Sequence, residues 1–107
     1  MEFERRQSHR KSLHRPAKVA PEHGHVLDAS TADVGTDGIS IFIEESLPIG
    51  TKCLISFEIP MGGKLRKVVM VVKVKYCTCC GLDGFRIGME RVEIEKSSAE
   101  TVEKFLE

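Results

Sequence analysis

The sequence predicts an all-β fold: a small six-stranded antiparallel β-barrel with a flexible N-terminal arm and a short C-terminal α-helix. Three observations predict this class. Apolar and polar residues alternate with a period of two over much of the chain, turn-forming residues separate the alternating runs, and a helical period appears only near the end. The 107 residues suffice for one domain. Closing the sheet into a barrel would remove exposed strand edges.

Six segments have the periodicity and composition of β-strands. They are residues 14–20, 25–34, 39–43, 51–59, 66–77 and 85–90. Segment 39–43 is rich in β-branched residues, which favour strands. In segment 51–59 the odd-numbered residues form one apolar face, and in segment 66–77 the even-numbered residues from Val68 to Tyr76 do so. Val69 and Val71 lie on the opposite face, so we expect part of that face to be covered.

The apolar period changes from two to that of a helix near the C-terminal end. Ser97 or Ser98 can cap such a helix, with Glu100 in its first turn. The apolar residues that follow lie at positions i, i+3 and i+4, and they are Val102, Phe105 and Leu106. We therefore predict a short amphipathic helix.

Residues 1–12 show neither period, and we expect them to form a flexible basic arm ahead of a single barrel domain over residues 13–107. No apolar run approaches the roughly 20 residues that span a bilayer. The stretch from Met1 to Lys11 also lacks the apolar core of a secretory signal. These features predict a cytoplasmic protein that does not insert into a membrane.

Charge is balanced overall but segregated along the chain. There are 16 basic and 16 acidic residues, so the net charge is zero. In chain order the net charges are +4 for residues 1–19, −6 for 20–63, +5 for 64–86 and −3 for 87–107. A basic arm beside an acidic body can attract an anion locally without making the whole protein basic.

The cysteines and histidines do not form a recognisable catalytic or metal motif. Cys77 and Cys80 form one C-x-x-C pair, with Cys79 between them, but a second pair is missing and Cys53 is expected to face the core. We expect four reduced thiols. No Ser/His/Asp or Cys/His arrangement and no phosphate-binding loop stands out. The sequence therefore predicts a protein that is not an enzyme and that holds no metal or cofactor.

Two short motifs carry the functional signal. The first is an R-x-x-x-R pair formed by Arg6 and Arg10 in the arm. The second is a D-x-G-x-x-G turn over residues 33–38, between two predicted strands. Each motif is weak alone. Together, and in this order around a first hairpin, they resemble the signature of the PilZ domain, a family of bacterial receptors for cyclic di-GMP.

The resemblance to the PilZ domain covers nearly the whole chain. Residues 85–89 are similar to the late R-I-G-hydrophobic strand of that family, and the terminal helix also fits. It implies a PilZ-like barrel that binds cyclic di-GMP through a set of six residues. Arg6, Arg10, Asp33 and Gly38 match the two motifs, Arg5 is an expected accessory contact, and Gly35 stands where the family has a serine.

These residue types suit a ligand with two phosphodiester charges and two guanines. A guanidinium can bind guanine O6 and N7 with two hydrogen bonds, pair with phosphate, or stack on a base. The Asp33 carboxylate can accept from the N–H groups of a guanine edge. Gly38 can adopt a positive φ and lets the backbone approach a flat base. Gly35 lacks a hydroxyl, and one lost hydrogen bond costs on the order of 0.5–1.5 kcal/mol.

The predicted function is that of a cyclic di-GMP receptor that signals to an unknown protein partner in motility, exopolysaccharide or biofilm control, as the resemblance implies. Because Gly35 replaces a serine, one alternative is a PilZ-like adaptor that has lost nucleotide binding and binds only protein. A second is a barrel that binds single-stranded nucleic acid. Scarce aromatic residues and zero net charge disfavour DNA or RNA as partners. A redox or zinc module is a third.

Overall fold

A computed structural model describes residues 10–107, which form seven β-strands and one α-helix. In chain order the strands are β1 Arg10–Ser12, β2 Pro16–Pro21, β3 Leu27–Gly35, β4 Gly38–Ile43, β5 Lys52–Met61, β6 Lys64–Cys79 and β7 Phe85–Ile94, and the helix is α1 Lys96–Leu106. One turn of 3-10 helix, Gly81–Asp83, joins β6 to β7. No helix in this part of the chain is long and apolar enough to cross a membrane.

Six of the strands close into an antiparallel ring, which confirms the predicted six-stranded barrel. The neighbours run β3–β2–β5–β6–β7–β4, and β4 pairs back with β3. The short strand β1 lies outside this ring and pairs with the end of β3, where Arg10 is opposite Gly35. The part of the expected flexible arm that the structure describes, residues 10–12, is therefore an ordered strand.

A buried threonine bridges the gap between β1 and β2. Both strands pair with β3, and Thr31 of β3 lies between the two paired regions with no exposed surface. The Thr31 hydroxyl donates to the carbonyl of Leu13 and accepts a 2.9 Å hydrogen bond from the Arg15 backbone N–H. This side chain satisfies backbone groups that the interrupted ladder would otherwise leave unpaired.

The barrel interior is filled by the apolar faces that the alternation predicts. The inward residues of β5 and β6 are all buried, and they are Cys53, Ile55, Phe57, Ile59, Val68, Met70, Val72 and Val74. Each large aliphatic side chain buried in this way contributes roughly 1.5–3 kcal/mol. Tyr76 departs from the predicted face because a register irregularity between β6 and β7 falls between Val74 and Tyr76, and its side chain is 45% exposed.

Helix α1 packs against the barrel through the predicted apolar face, with Val102 buried and Phe105 partly buried. The expected serine cap is wrong: the N-cap is Glu95, and it makes no side-chain capping bond. Ser98 is instead fully buried, and its hydroxyl accepts a 2.9 Å hydrogen bond from the backbone N–H of Val69. That bond ties the helix to β6.

Candidate functional site

Arg10 lies at the centre of a hydrogen-bonded cluster around the turn between β3 and β4. Its Nε donates a 2.9 Å hydrogen bond to Asp33 Oδ1, and its Nη1 lies 2.6 Å from Asp37 Oδ1. The pairing of β1 with β3 explains the position, because Arg10 is opposite Gly35, two residues from Asp33. The structure therefore brings together Arg10 and Asp33, one residue from each sequence motif.

Neighbouring side chains on β1 point in opposite directions, as they must in a strand. While Arg10 faces the turn, Lys11 faces helix α1. The Lys11 ammonium donates a 2.8 Å hydrogen bond to the carbonyl of Phe105 and lies 5.2 Å from the centroid of the Phe105 ring. Both neighbours therefore hold β1 in place, one on each side of the strand.

A second arginine, Arg86 on β7, holds the other oxygen of Asp33. Arg86 Nη2 donates a 2.8 Å hydrogen bond to Asp33 Oδ2. The guanidinium carbon of Arg86 lies 5.6 Å from the centroid of the Phe42 ring, within range of a cation–π interaction. The Asp33 side chain is 19% exposed, against 41% for Arg86. Partly exposed pairs of this kind contribute about 0.2–1 kcal/mol each, so the cluster fixes geometry more than stability.

The wall beside this cluster is formed by Ser40 and Tyr76. The Ser40 hydroxyl lies 3.4 Å from Arg10 Nη2 and 3.5 Å from the Tyr76 hydroxyl. The Tyr76 ring lies directly over Gly88 of β7, where a Cβ atom would come within 2.1 Å of the ring. Glycine at position 88 thus leaves the space that the tyrosine occupies.

The cluster opens into a cleft of about 380 Å³ that carries charge of both signs. Its charged lining residues are Arg10, Lys75, Arg86, Asp33, Asp37 and Glu90. A larger groove of about 660 Å³ runs over β3 and β4, but its lining holds four carboxylates and neither lysine nor arginine. A phosphodiester is therefore better accommodated in the smaller cleft.

The two glycines of the turn motif have structural roles in the described chain. Gly35 is buried at the end of β3. Gly38 does not use the positive φ that glycine allows. A Cβ at Gly38 would lie 2.0 Å from the carbonyl oxygen of Met89, so glycine allows β4 to pair closely with β7.

Of the site residues that the sequence predicts, four lie at or beside the turn, and they are Arg10, Asp33, Gly35 and Gly38. Arg5 and Arg6 fall outside the residues that the structure describes. Asp37, Ser40, Tyr76 and Arg86 also line the cleft but were not predicted as site residues. Two sequence signals include members of this set: Asp37 lies within the D-x-G-x-x-G turn over residues 33–38, and Arg86 is the arginine of the R-I-G resemblance over residues 85–89.

The cysteines lie elsewhere and differ in exposure. Cys53 is buried, and burial, together with the charge of Glu22, raises the pKa of its thiol. Cys79 is exposed, and Cys77 and Cys80 are partly buried. Among residues 10–107, no three His, Cys, Asp or Glu side chains are grouped so that they could hold a metal ion.

Comparison with known proteins gives both a family and a fold. The family model described as PilZ domain matches residues 4–107. A search of curated proteins finds no significant match. Solved structures do match, but their sequence identities are low, so they show the fold alone.

Three of these structures are informative. The Bacillus subtilis inhibitor of motility (MotI/DgrA) has a TM-score of 0.82 and 13% identity, covering 99% of this chain and 51% of its own, so the chain spans about half of that protein. The PilZ domain of YcgR from Escherichia coli, with c-di-GMP, has a TM-score of 0.66 and 12% identity, covering 96% and 89%. The PilZ domain of CeSA from a cellulose-synthesizing bacterium has a TM-score of 0.59 and 15% identity, covering 92% and 94%.

Proposed function

The chain belongs to the PilZ domain family, and from that premise we propose that it is a cytoplasmic receptor for cyclic di-GMP that signals to a protein partner. The observation that carries the proposal is the contact between Arg10 and Asp33, 2.9 Å apart. It joins the R-x-x-x-R motif to the turn motif in one cleft. A guanidinium and a carboxylate acceptor side by side match the phosphate and the guanine edge of the same ligand.

Four charged residues of the cleft have distinct roles in this proposal. Arg10, with Arg6 and Arg5 of the arm, binds the phosphodiesters or the Hoogsteen edge of a guanine. Asp33 accepts from the guanine N–H groups, and Arg86 keeps its carboxylate oriented. Lys75, which also lines the cleft, adds positive charge without the fixed geometry of a guanidinium.

Ligand binding would change the surface that the protein presents to its partner. The arm carries Arg5 and Arg6 and leads directly into β1, so a ligand held by both arm and turn would draw the arm over the cleft. The ordering of the arm lowers the net affinity but creates new surface. Control of motility, exopolysaccharide production or biofilm formation is the output that we propose from the family.

Titration calorimetry with cyclic di-GMP tests the proposal. We expect wild-type protein to bind and Arg10→Ala to bind at least tenfold more weakly, since a charge-assisted hydrogen bond is worth about 1.5–3 kcal/mol. Arg66→Ala is the matched control, because Arg66 is an exposed arginine that does not line the cleft. If tens of micromolar wild-type protein give no heat, the protein is not a cyclic di-GMP receptor.

The second candidate is an adaptor that binds only protein. It is favoured by Gly35, which replaces the serine of the family motif, and by the internal partners that already occupy Arg10. Restoring the hydroxyl separates the two functions. We expect Gly35→Ser to tighten nucleotide binding or leave it unchanged if the turn binds the ligand. A protein that shows no binding with either residue would support the adaptor.

A further inference from the structure

Asp37 is hydrogen-bonded to the guanidinium of Arg10. The 2.6 Å contact from Arg10 Nη1 to Asp37 Oδ1 is the shortest of the four polar contacts that Arg10 makes with Asp33, Asp37 and Ser40. With Asp33 and Arg86 included, two arginines face two aspartates. The centre of the cleft therefore has no net charge with which to attract a phosphate.

We propose that Asp37 is an internal counter-anion that sets the affinity of the site, because an incoming phosphate must displace its carboxylate from Arg10. This inference rests on the proposed function and goes beyond it, since neither motif assigns a role to position 37. In this proposal, the Asp37 carboxylate lowers the affinity for the ligand. That is the opposite of the effect expected for a carboxylate that contacts the ligand.

The geometry indicates that the Asp37 contact is the one that breaks. Asp33 Oδ1 contacts Arg10 at both Nε (2.9 Å) and Nη2 (2.8 Å), and Arg86 holds the other oxygen of Asp33, whereas Asp37 contacts Arg10 at Nη1 alone. The side chain of Asp37 is 57% exposed, against 19% for Asp33, so it can return to water easily. The bond of Arg10 to Asp33 and that to Asp37 therefore differ in how readily they exchange for a ligand.

The backbone of Asp37 is anchored independently of its side chain. Its carbonyl accepts a 2.8 Å hydrogen bond from the backbone N–H of Arg91 on β7. Gly38, the next residue, is packed against the Met89 carbonyl. The carboxylate can consequently swing away from Arg10 while the turn keeps its shape, and removing the carboxylate should leave the turn intact.

The test compares Asp37→Asn with wild type by calorimetry with cyclic di-GMP. We expect the variant to bind about 1.5- to fivefold more tightly, because one partly exposed ion pair no longer competes. The affinity of the variant should also fall more steeply as the salt concentration rises, because the net charge of its cleft is one unit more positive than in wild type. Glu45→Gln is the matched control: it makes the same change in net charge on an exposed residue that lies beyond the far end of β4.

The outcomes separate this inference from the proposed function. Tighter binding by Asp37→Asn with an unchanged Glu45→Gln supports the inference. Equal tightening by both variants indicates a general charge effect and overturns it. Weaker or unchanged binding by Asp37→Asn, while wild type binds, also overturns it and makes Asp37 a ligand contact or a bystander. If none of the three proteins binds, the receptor function fails and the inference fails with it.

Discussion

Arg86 and Asp33 are 53 positions apart in the chain, yet Nη2 of the arginine lies 2.8 Å from Oδ2 of the aspartate. The contact depends on closure of the barrel, which makes β4 the common neighbour of β3 and β7. Asp33 therefore has one oxygen on Arg10 and the other on Arg86. A carboxylate held at both oxygens presents its remaining lone pairs in a fixed direction, which suits recognition of a base edge.

Replacement of Arg86 by alanine should weaken ligand binding more than it weakens the fold. Arg86→Ala frees Oδ2 of Asp33, so we expect at least a tenfold loss of affinity for cyclic di-GMP in calorimetry. The free energy of unfolding, measured in urea, should fall by less than about 1 kcal/mol because the pair is partly exposed. Arg66→Ala serves as control, and equal effects of the two variants on binding would contradict a positioning role for Arg86.

The two glycines on facing strands should differ in their tolerance of a methyl group. A Cβ at Gly38 meets the Met89 carbonyl oxygen, whereas one at Gly88 meets the Tyr76 ring. A side chain can move more easily than a paired strand. Gly38→Ala should therefore lower the free energy of unfolding by about 1–3 kcal/mol, the usual cost of overpacking, and Gly88→Ala should lower it by less. Urea unfolding measures both.

Gly88→Ala has a second readout, because Tyr76 is the only tyrosine and the protein has no tryptophan. Displacement of the ring from the cleft should change the tyrosine fluorescence, while Gly38→Ala should leave that signal closer to wild type in the folded state. If Gly88→Ala leaves both stability and fluorescence unchanged, the tyrosine does not pack over Gly88 in solution.

Ser98 should stabilise the helix on the barrel, although it does not cap the helix. Ser98→Ala leaves the partly buried N–H of Val69 without its acceptor, and the loss of one such hydrogen bond costs about 0.5–1.5 kcal/mol. Ser97→Ala is the natural control, because Ser97 is exposed and interacts only weakly with Glu95, at 3.4 Å. In thermal unfolding, Ser98→Ala should therefore melt at a lower temperature than Ser97→Ala. Equal melting temperatures for the two variants would contradict this hydrogen bond.

The thiols should react in the order of their exposure. Iodoacetamide followed by mass spectrometry should label Cys79 first and Cys53 only after unfolding. The raised pKa of Cys53 means that the native protein retains the thiol proton to higher pH than the unfolded chain. Its contribution to stability is therefore complete below the unfolded thiol pKa of about 8.5 and is lost as pH rises through the higher native value.

A Cys53→Ser variant isolates this pH dependence. Wild type should lose more stability than the variant between neutral pH and the alkaline range, because serine does not ionise there. Rapid labelling of Cys53 in the native protein at neutral pH would contradict its burial. Parallel losses of stability in the two proteins at high pH would show that other groups dominate.

The strands and the core were predictable because their evidence is local. Alternation in β5 and β6 identified the buried face residue by residue, and the barrel follows from the number of such segments. Strand β1 was not predictable in this way, because Arg10, Lys11 and Ser12 have little intrinsic preference for a strand. Pairing with β3 imposes their conformation, so tertiary structure overrides propensity here.

The remaining misses at the site have a similar cause. Arg86 reaches Asp33 only through closure of the sheet, and Tyr76 leaves the apolar face only because the β6–β7 ladder shifts. Neither event leaves a periodic signal in the sequence. The sequence predicts a cap at Ser97 or Ser98 because serine commonly begins helices, but the Ser98 hydroxyl instead accepts from the partly buried N–H of Val69.

The position of β1 outside the closed ring has a thermodynamic consequence. Each of the six ring strands has two neighbours within the ring, so none can detach without opening the barrel, whereas over residues 10–107 β1 is paired with β3 alone, through three residue pairs. Its release is a subglobal event whose free energy is separate from that of global unfolding. Amide protons in this strand should exchange with solvent much faster than those of β5 or β6, and a molecule that binds Arg10 acts on that local equilibrium while the rest of the domain stays folded.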